Sequence, residues 1–220
     1  MKLSLLTTLL IFLCSCASKS NETVADNTLS TAEKADGWQL LFNGKDMSQW
    51  RNFKQETISP IWQVKDGMVT MTNKDGNDIM TKKKYGNFVL KLQWKISEAG
   101  NSGIFILADE KGKKIWSHAP EIQILDNEKH RDSKILTHHS GSLYDMIASP
   151  DSSKKKAGEW NNVKISHDKG HLQVWQNGVQ TVDIVIGSAD WKKLLAKSKF
   201  AKWSGFATNK TGLFYIFRSD

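Results

Sequence analysis

Apolar and polar residues alternate along several short stretches of the chain, a pattern typical of β-strands that bury one face. The longest stretch lies at residues 88–96, where every second side chain is apolar. Shorter stretches occur at residues 62–71, 163–175 and 179–186. Two-residue signals mark their turns at Asp66-Gly67, Lys169-Gly170 and Asn177-Gly178. Short strands joined by tight turns predict an antiparallel β-sandwich.

One pair of strands carries the most informative polar residues. Gly100 to Gly103 predicts a turn, and Ile104 to Leu107 is continuously apolar, as in a central strand. A second strand, Pro120 to Asp126, places Glu121 and Gln123 two residues apart, so both project from one sheet face. An acid and an amide opposite an apolar face suit a binding cleft.

One short α-helix is predicted near the C-terminal end. Ser188 can cap it, and Asp190 falls in its first turn. The apolar face is formed by Trp191, Leu194 and Leu195. One helix and no internal repeat argue against a parallel α/β fold.

The first residues predict export and lipid attachment. Residues 3–13 form an apolar run too short to span a bilayer, and Leu13-Cys14-Ser15-Cys16 is typical of a bacterial lipobox. The alternative is an ordinary secretory peptide cleaved nearby. We expect residues 1–15 to be a signal peptide and Cys16 to carry the lipid at the cell envelope. The outer membrane is favoured, because no Asp follows Cys16.

Two further parts follow the lipobox. Residues 16–36 are polar without an apolar period, which predicts a flexible tether. One folded domain is expected at residues 37–220, beginning with a strand at residues 38–42 that runs into a turn at Asn43-Gly44. Cys14 would leave with the signal peptide, so the core must supply the stability without a disulfide.

Composition narrows the classes of function. The chain has 220 residues, is 39% apolar, contains nine Trp and has a net charge of +8. This is enough apolar material for a packed core. The lysine runs at residues 82–84 and 154–156 lack interleaved aromatic residues. We therefore interpret them as solvated loops and expect no nucleic-acid partner.

The six histidines do not form a recognisable zinc motif. His138 and His139 are adjacent and are expected to point to opposite faces of a strand. A catalytic divalent ion held by oxygen ligands and one imidazole is compatible with the sequence, and no other cofactor is indicated. A nucleophile elbow, a P-loop and a dinucleotide fingerprint are absent.

The strongest candidate chemistry is the spacing E-x-Q-x-x-D of Glu121, Gln123 and Asp126. It resembles the E-x-D-x-x-E strand of jelly-roll glucanases, in which paired acids cleave glycosidic bonds. Asp126 would join the face of Glu121 only if a bulge intervened. The amide of Gln123 cannot exchange a proton, which weakens a two-carboxylate mechanism. Glu121 as a plain solvent-facing residue is the alternative.

Two aromatic-plus-polar groups could hold sugars. Tyr144 with Asp145, and Trp160 with Asn161 and Asn162, combine aromatic rings with acid or amide groups. Such rings stack on the apolar face of a pyranose, while acids and amides bind its hydroxyls. Packing in the core is the alternative for any one tryptophan.

Several motifs occur in order between about Gly37 and Gly205: G-W-Q-L-L-F-N-G-K-D-M-S-Q-W, G-N-S-G-I-F, P-E-I-Q-I-L-D-N, H-x-S-G-x-L-Y-D, G-E-W-N and V-W-Q-N-G-V. Together they resemble the 3-keto-disaccharide hydrolase family. The resemblance implies an all-β, concanavalin-like jelly-roll sandwich that acts on 3-keto-glycosides by a lyase and hydratase route. The implied catalytic residues are Glu121, Gln123 and Asp126, and the implied sugar-binding residues are Asn101, Ser102, Tyr144 and Asn161.

The sequence departs from the family pattern after Gly212, where relatives continue with a strand, an L-Q-D-H-G motif and a final strand. Here L-F-Y-I-F-R-S-D follows instead. We therefore expect a frameshift or premature stop, a missing final strand and an open sheet edge.

Three hypotheses follow. The leading one is a lipid-anchored hydrolase or lyase of 3-keto-glycosides. The second is a non-catalytic carbohydrate-binding lipoprotein of the same fold. The third is an ordinary glucanase that uses Glu121 and Asp126.

Overall fold

A computed structural model describes residues 25–73, 78–112 and 114–219 of the chain. The expected signal peptide and Cys16 lie outside these residues. Contacts divide the chain into two units, residues 1–40 and 41–220. The described helices include none that is long and apolar enough to cross a membrane.

The first unit contains a short helix, α1 (Thr31–Ala35). A capping box closes its N-terminus: Ser30 Oγ accepts from the Glu33 N–H at 3.1 Å, and the Glu33 carboxylate accepts from the Ser30 N–H at 3.0 Å. The sequence prediction of a tether without structure missed this helix, although S-x-x-E is its signature.

The second unit is built mainly of strands. In chain order the described strands are β1 (Trp50–Asn52), β2 (Trp62–Lys65), β3 (Met68–Met71), β4 (Ile79–Thr81), β5 (Phe88–Trp94), β6 (Asn101–Ala108), β7 (Glu121–Leu125), β8 (Asn161–Asp168), β9 (His171–Gln176), β10 (Val179–Val185) and β11 (Leu213–Ser219). One helix, α2 (Ala189–Lys197), follows β10. Short 3-10 turns lie between several of these elements.

The strands form two packed antiparallel sheets and a small hairpin. The first sheet has the order β1-β4-β11-β6-β7, the second has the order β10-β9-β8-β5, and β2 pairs with β3. An apolar core lies between the two sheets and includes Leu90, Ile104, Ile122, Val163 and Val174. The prediction of an all-β jelly-roll sandwich is confirmed.

The turns form where the sequence predicts them. Asp66 and Gly67, which join β2 to β3, have φ values of 52° and 70°. Asn177 and Gly178, which join β9 to β10, have values of 52° and 82°. Two successive residues with positive φ give a turn whose twist matches the flanking strands. Ser188 caps α2 by accepting from the Trp191 N–H at 3.1 Å, as expected.

Two local predictions are wrong. Residues 38–42 do not form a strand. Asn101, Ser102 and Gly103 already belong to β6, and the turn lies just before them at Glu98 and Ala99. The β6 pairing with β7 begins at Asn101, so tertiary pairing overrides the local turn signal.

The C-terminal segment forms an interior strand. β11 pairs with β4 on one side and with β6 on the other. Leu213, Phe214 and Tyr215 are buried. This segment therefore does not leave the open sheet edge expected where the family pattern ends. The expected loss of a further strand stays a prediction.

Candidate active site

One face of the five-stranded sheet points away from the core, and we call it the outer face. Residues paired directly across an antiparallel sheet project from the same side. The register pairs Arg51 with Met80, Met80 with Tyr215, and Tyr215 with Phe105. Phe105 is paired in turn with Glu121. Met80, Phe105 and Tyr215 belong to an apolar cluster separate from the core. The row of side chains thus ends with a carboxyl group on β7.

The Glu121 side chain reaches diagonally over Gly103 of the neighbouring strand, which is itself paired with Gln123. A Cβ atom at Gly103 would collide with the carboxyl end of the Glu121 side chain, so the missing side chain makes room for it. With its amide turned so that the nitrogen faces acceptors, Gln123 donates to Glu121 Oε1 at 3.1 Å and to Ser102 O at 2.8 Å. Gln123 Oε1 then faces the Asn101 side-chain amide across 3.2 Å and accepts from it when that amide is turned as well. These contacts fix the direction of the carboxyl group.

The environment of Glu121 changes its acidity. Burial raises the pKa of the carboxyl from 4.5 to about 8. The positive charge of Lys199 opposes this shift, whereas the negative charges of Asp78 and Asp132 add to it. A carboxyl group whose pKa lies near neutrality can both take up and return a proton under physiological conditions. Glu121 is therefore suited to proton transfer.

Tyr144 lies beside Glu121 because its N–H donates to Glu121 O at 3.0 Å across the edge of β7. His138 stacks on its ring with 4.2 Å between centroids, and Lys199 Nζ lies 4.1 Å from the ring centroid. His138 and Lys199 thus both lie against the ring of Tyr144, and the hydroxyl is the polar group that this residue offers to a sugar. Burial raises the pKa of this hydroxyl above its ordinary value.

Asp145 holds the two groups that cover Tyr144. Its Oδ1 accepts from His138 Nε2 at 3.1 Å, and its Oδ2 accepts from the Lys199 N–H at 2.7 Å. Its φ of 59° is left-handed, which Asp tolerates better than most residues. His138 Nδ1 is buried without a hydrogen-bond partner in the described part of the chain, and lies 4.0 Å from Asp132 Oδ2.

The structure brings some of the predicted site residues together and separates others. Glu121, Gln123, Asn101 and Tyr144 form one group beside β7. Ser102 is paired with Ile124, a core residue, and reaches Gln123 only through its carbonyl oxygen.

Asp126 does not join Glu121. β7 pairs with β6 without a register shift, so the bulge that would bring the two acids together is absent. The Asp126 carboxylate instead accepts from the N–H groups of Ala99 at 2.7 Å and Glu128 at 3.0 Å. Burial by itself raises the pKa of Asp126, but these backbone donors lower it below its ordinary value. The residue orders a turn at the end of β7.

Asn161 lies in the other sheet. It is fully buried on β8, and its Oδ1 accepts from Asn177 Nδ2 at 2.7 Å. Its neighbour Trp160 is exposed, with Lys95 Nζ 5.0 Å from its ring centroid. The structure does not bring Asn161 to the outer face.

Sequence reasoning missed three residues of this site, Gly103, His138 and Lys199. Gly103 lies in the predicted turn and in the G-N-S-G-I-F motif, and His138 begins the H-x-S-G-x-L-Y-D motif, but neither is predicted as a site residue. Lys199 directly follows Ser198, the C-terminal cap of α2, and precedes the buried Phe200. This position between a helix cap and a buried aromatic residue is the one signal in the sequence that points to Lys199.

Metal binding finds no support in the described residues. They contain no group of three or more His, Cys, Asp or Glu side chains placed to hold a metal ion. The divalent ion stays a prediction, and no chemical step is derived through one.

An open groove of about 740 Å³ lies elsewhere and is lined by residues that include Asn127, His139, Lys154 and Glu159. Lys154 Nζ contacts His139 Nδ1 and Asp151 Oδ1, both at 2.7 Å. His139 therefore faces this groove while His138 faces Tyr144. The adjacent histidines point in different directions, but from the end of a 3-10 turn and not from the expected strand.

The fold is a jelly-roll sandwich whose outer face carries a carboxyl group with a raised pKa. Comparison of the sequence with known protein families is more specific than the fold. The chain belongs to the 3-keto-alpha-glucoside-1,2-lyase-like domain family, whose model matches residues 37–217. The family resemblance noted in the sequence is thus confirmed.

Individual relatives agree with this family. A 3-keto-disaccharide hydrolase of Bacteroides thetaiotaomicron is 34% identical over 209 residues, which cover 84% of this chain and 72% of that protein. The crystal structure of a candidate glycosyl hydrolase from Parabacteroides distasonis has a TM-score of 0.80 at 30% identity, covering 88% of this chain and 92% of that one. A second structure from that organism has a TM-score of 0.64 at 22% identity over 79% of this chain and 92% of its own, and shares the fold.

Proposed function

We propose that the protein cleaves 3-keto-glycosides by elimination followed by hydration, with Glu121 as the base. The observation that carries this proposal is the half-buried Glu121, whose pKa is raised to about 8 on the outer face of a member of this family. A related protein named as a 3-keto-disaccharide hydrolase supports the substrate class.

The reaction needs a base because a ketone at C3 acidifies the proton on C2. Glu121 takes this proton, and the electron pair of the C2–H bond forms an enolate with the C3 oxygen. The pair then returns to form a C1–C2 double bond while the bond from C1 to the aglycone oxygen breaks. The aglycone leaves with a proton, and water adds OH at C1 and H at C2. The net result is hydrolysis.

The neighbours of Glu121 support this role. Gln123 and Gly103 hold the carboxyl group in one orientation. The Tyr144 hydroxyl stays protonated, so it can donate a hydrogen bond to a sugar oxygen beside the base. A base held in place in this way does not have to be ordered at the moment of reaction.

The test is turnover of a 3-keto-disaccharide compared with the unoxidised disaccharide. We expect turnover of the ketone only, and a loss of at least about 100-fold in Glu121→Gln, as is typical for removal of a general base. The matched control is Glu98→Gln, which changes an exposed carboxylate that pairs with Lys129. Full turnover by Glu121→Gln would contradict the role of Glu121 as the base. Binding without turnover would identify the non-catalytic alternative.

The structure weakens the hypothesis of an ordinary glucanase, which needs a second acid beside Glu121. The Asp126 carboxylate accepts hydrogen bonds from backbone N–H groups instead. Cleavage of the unoxidised disaccharide would support the glucanase hypothesis.

We also propose that Cys16 is lipidated and anchors the protein at the cell envelope, on the basis of its lipobox. Labelled palmitate fed to producing cells should enter the full-length chain and not the Cys16→Ser variant. Equal labelling of both chains would contradict the anchor.

A further inference from the structure

Lys199 is a cation beside the base, and the proposed reaction as derived above does not use it. Its position follows from the chain around it. Ser198 Oγ accepts from the Phe200 N–H at 3.2 Å, which starts a 3-10 turn directly after α2. Phe200 stacks on Phe206 with 4.1 Å between ring centroids and is buried in the core. The segment is thus anchored on both sides of Lys199.

The ammonium group of Lys199 forms no ion pair within the described part of the chain. It lies over Tyr144, and its charge acts on the carboxyl groups of Glu121, Asp145 and Asp132. Glu121 and Lys199 are therefore close enough to affect each other, but they do not touch.

We propose that Lys199 is a second catalytic residue, whose ammonium donates a hydrogen bond to the C3 oxygen of the bound 3-keto-glycoside and stabilises the enolate. This inference rests on the proposed function. It assigns the group that must hold the ketone oxygen. Lys199 Nζ lies over the ring of Tyr144, and Tyr144 in turn lies beside Glu121.

The movement of charge explains why the two groups belong together. Before reaction the negative charge is on the Glu121 carboxylate. When Glu121 takes the C2 proton, the carboxyl becomes neutral and the negative charge appears on the C3 oxygen. A cation held beside the base stabilises the charge in its new position, and such preorganised stabilisation is often the largest part of catalysis. When the aglycone leaves, the charge passes to the leaving oxygen, which is then protonated.

The protonation state of Lys199 fits this role. Burial lowers its pKa, while Glu121, Asp145 and Asp132 oppose the shift. These acidic neighbours favour the ammonium form, which donates a hydrogen bond, over the free amine, which would attack the ketone.

The experiment compares Lys199→Met, Lys199→Arg and the control Lys202→Met on a 3-keto-disaccharide. Lys202 is an exposed residue of the same 3-10 turn. We expect Lys199→Met to lower kcat by about 100- to 1,000-fold with little change in KM, as for loss of an oxyanion donor. Lys199→Arg should recover part of this loss because it keeps the charge. Lys202→Met should behave as the wild type.

A second readout separates catalysis from a structural role. Because the Lys199 charge lowers the pKa of Glu121, the pH profile of kcat/KM should shift to higher pH in Lys199→Met and stay in place in Lys199→Arg. A Lys199→Met protein within threefold of wild-type kcat, or with an unmoved profile, overturns the role of Lys199 while the proposed function stands. A covalent adduct trapped by borohydride on wild-type Lys199 also overturns it, in favour of an imine. A wild-type protein with no turnover of the ketone overturns the proposed function and this inference together.

Discussion

At the residue scale, the acidity of Glu121 depends on its surroundings and not on its own chemistry. The sequence spacing places Glu121 and Gln123 on one face of a strand, which the structure confirms. The raised pKa comes mainly from burial, which the sequence does not reveal. A lone glutamate in a strand of this kind could equally face solvent.

The raised pKa predicts how stability depends on pH. The folded protein holds the Glu121 proton with a pKa of about 8, and the ordinary value is 4.5. The folded state therefore binds this proton more tightly than the unfolded state. The corresponding stability is fully present below about pH 4.5 and is lost as the pH rises through 8. We expect Glu121→Gln to be more stable than the wild type by roughly 1–3 kcal/mol at pH 9, with little difference at pH 4.

Urea unfolding of both proteins at the two pH values checks this prediction. A stability difference that does not change with pH would show that Glu121 titrates normally. The exposed-carboxylate variant Glu98→Gln should follow the wild type at both pH values.

Gly103 makes a second prediction at this scale. Its backbone does not have positive φ in the described structure, so alanine is tolerated by the chain there. Its Cβ would displace the Glu121 carboxyl, because the two would occupy the same space. We expect Gly103→Ala to fold and to lose about 10- to 100-fold in kcat on a 3-keto-disaccharide, since small displacements of reacting groups are costly.

Circular dichroism and steady-state kinetics together measure this effect. Unchanged kcat in Gly103→Ala would mean that the orientation of Glu121 is not important.

At the element scale, the site is completed by loops that meet beside β7. The 3-10 turn at Leu136–His138 brings His138, and the turn at Lys199–Lys202 brings Lys199. Asp145 bonds to both turns. Strand patterns and turn signals predict the sheets well because each is local. The meeting of two loops far apart in the chain is a tertiary event, so the sequence did not predict Lys199 or the stacking on Tyr144.

Asp145 therefore has a predicted role in holding these loops together. Asp145→Ala removes both acceptors and places a residue less suited to left-handed φ, so we expect a loss of about 1–3 kcal/mol in the free energy of unfolding. The loss should be accompanied by lower kcat, because Lys199 and His138 are no longer fixed.

Asp145→Asn keeps the shape, one acceptor and the tolerance for positive φ, so it should retain more stability than alanine. Urea unfolding and kinetics of the two variants measure the difference. Equal stability of wild type and Asp145→Ala would contradict the linking role.

At the scale of the whole molecule, the C-terminal strand is the least expected element. The departure from the family pattern suggested an incomplete sheet, yet β11 lies between β4 and β6. Leu213, Phe214 and Tyr215 are buried although the family motif is absent. Family comparison could not reveal this, because a short continuous run of apolar residues suffices to fill an interior strand.

The interior position of β11 predicts the effect of truncation. A chain that ends at Gly212 loses β11 and divides the five-stranded sheet, so we expect no cooperative thermal unfolding. A chain that starts at Leu41 keeps the second unit intact, and its Tm should stay within a few degrees of the full chain. Scanning calorimetry of the two chains checks this, and cooperative unfolding of the chain ending at Gly212 would contradict the topology.

The central claim is removal of the C2 proton by Glu121, and deuterium incorporation tests it most directly. The protein is incubated with a 3-keto-disaccharide in D₂O at neutral pH, beside Glu121→Gln and a protein-free control, and the released 3-keto sugar is analysed by NMR. Elimination and hydration predict one deuterium at C2 of that sugar in the wild type only. A released sugar that keeps its original C2 hydrogen would show direct hydrolysis and contradict the account.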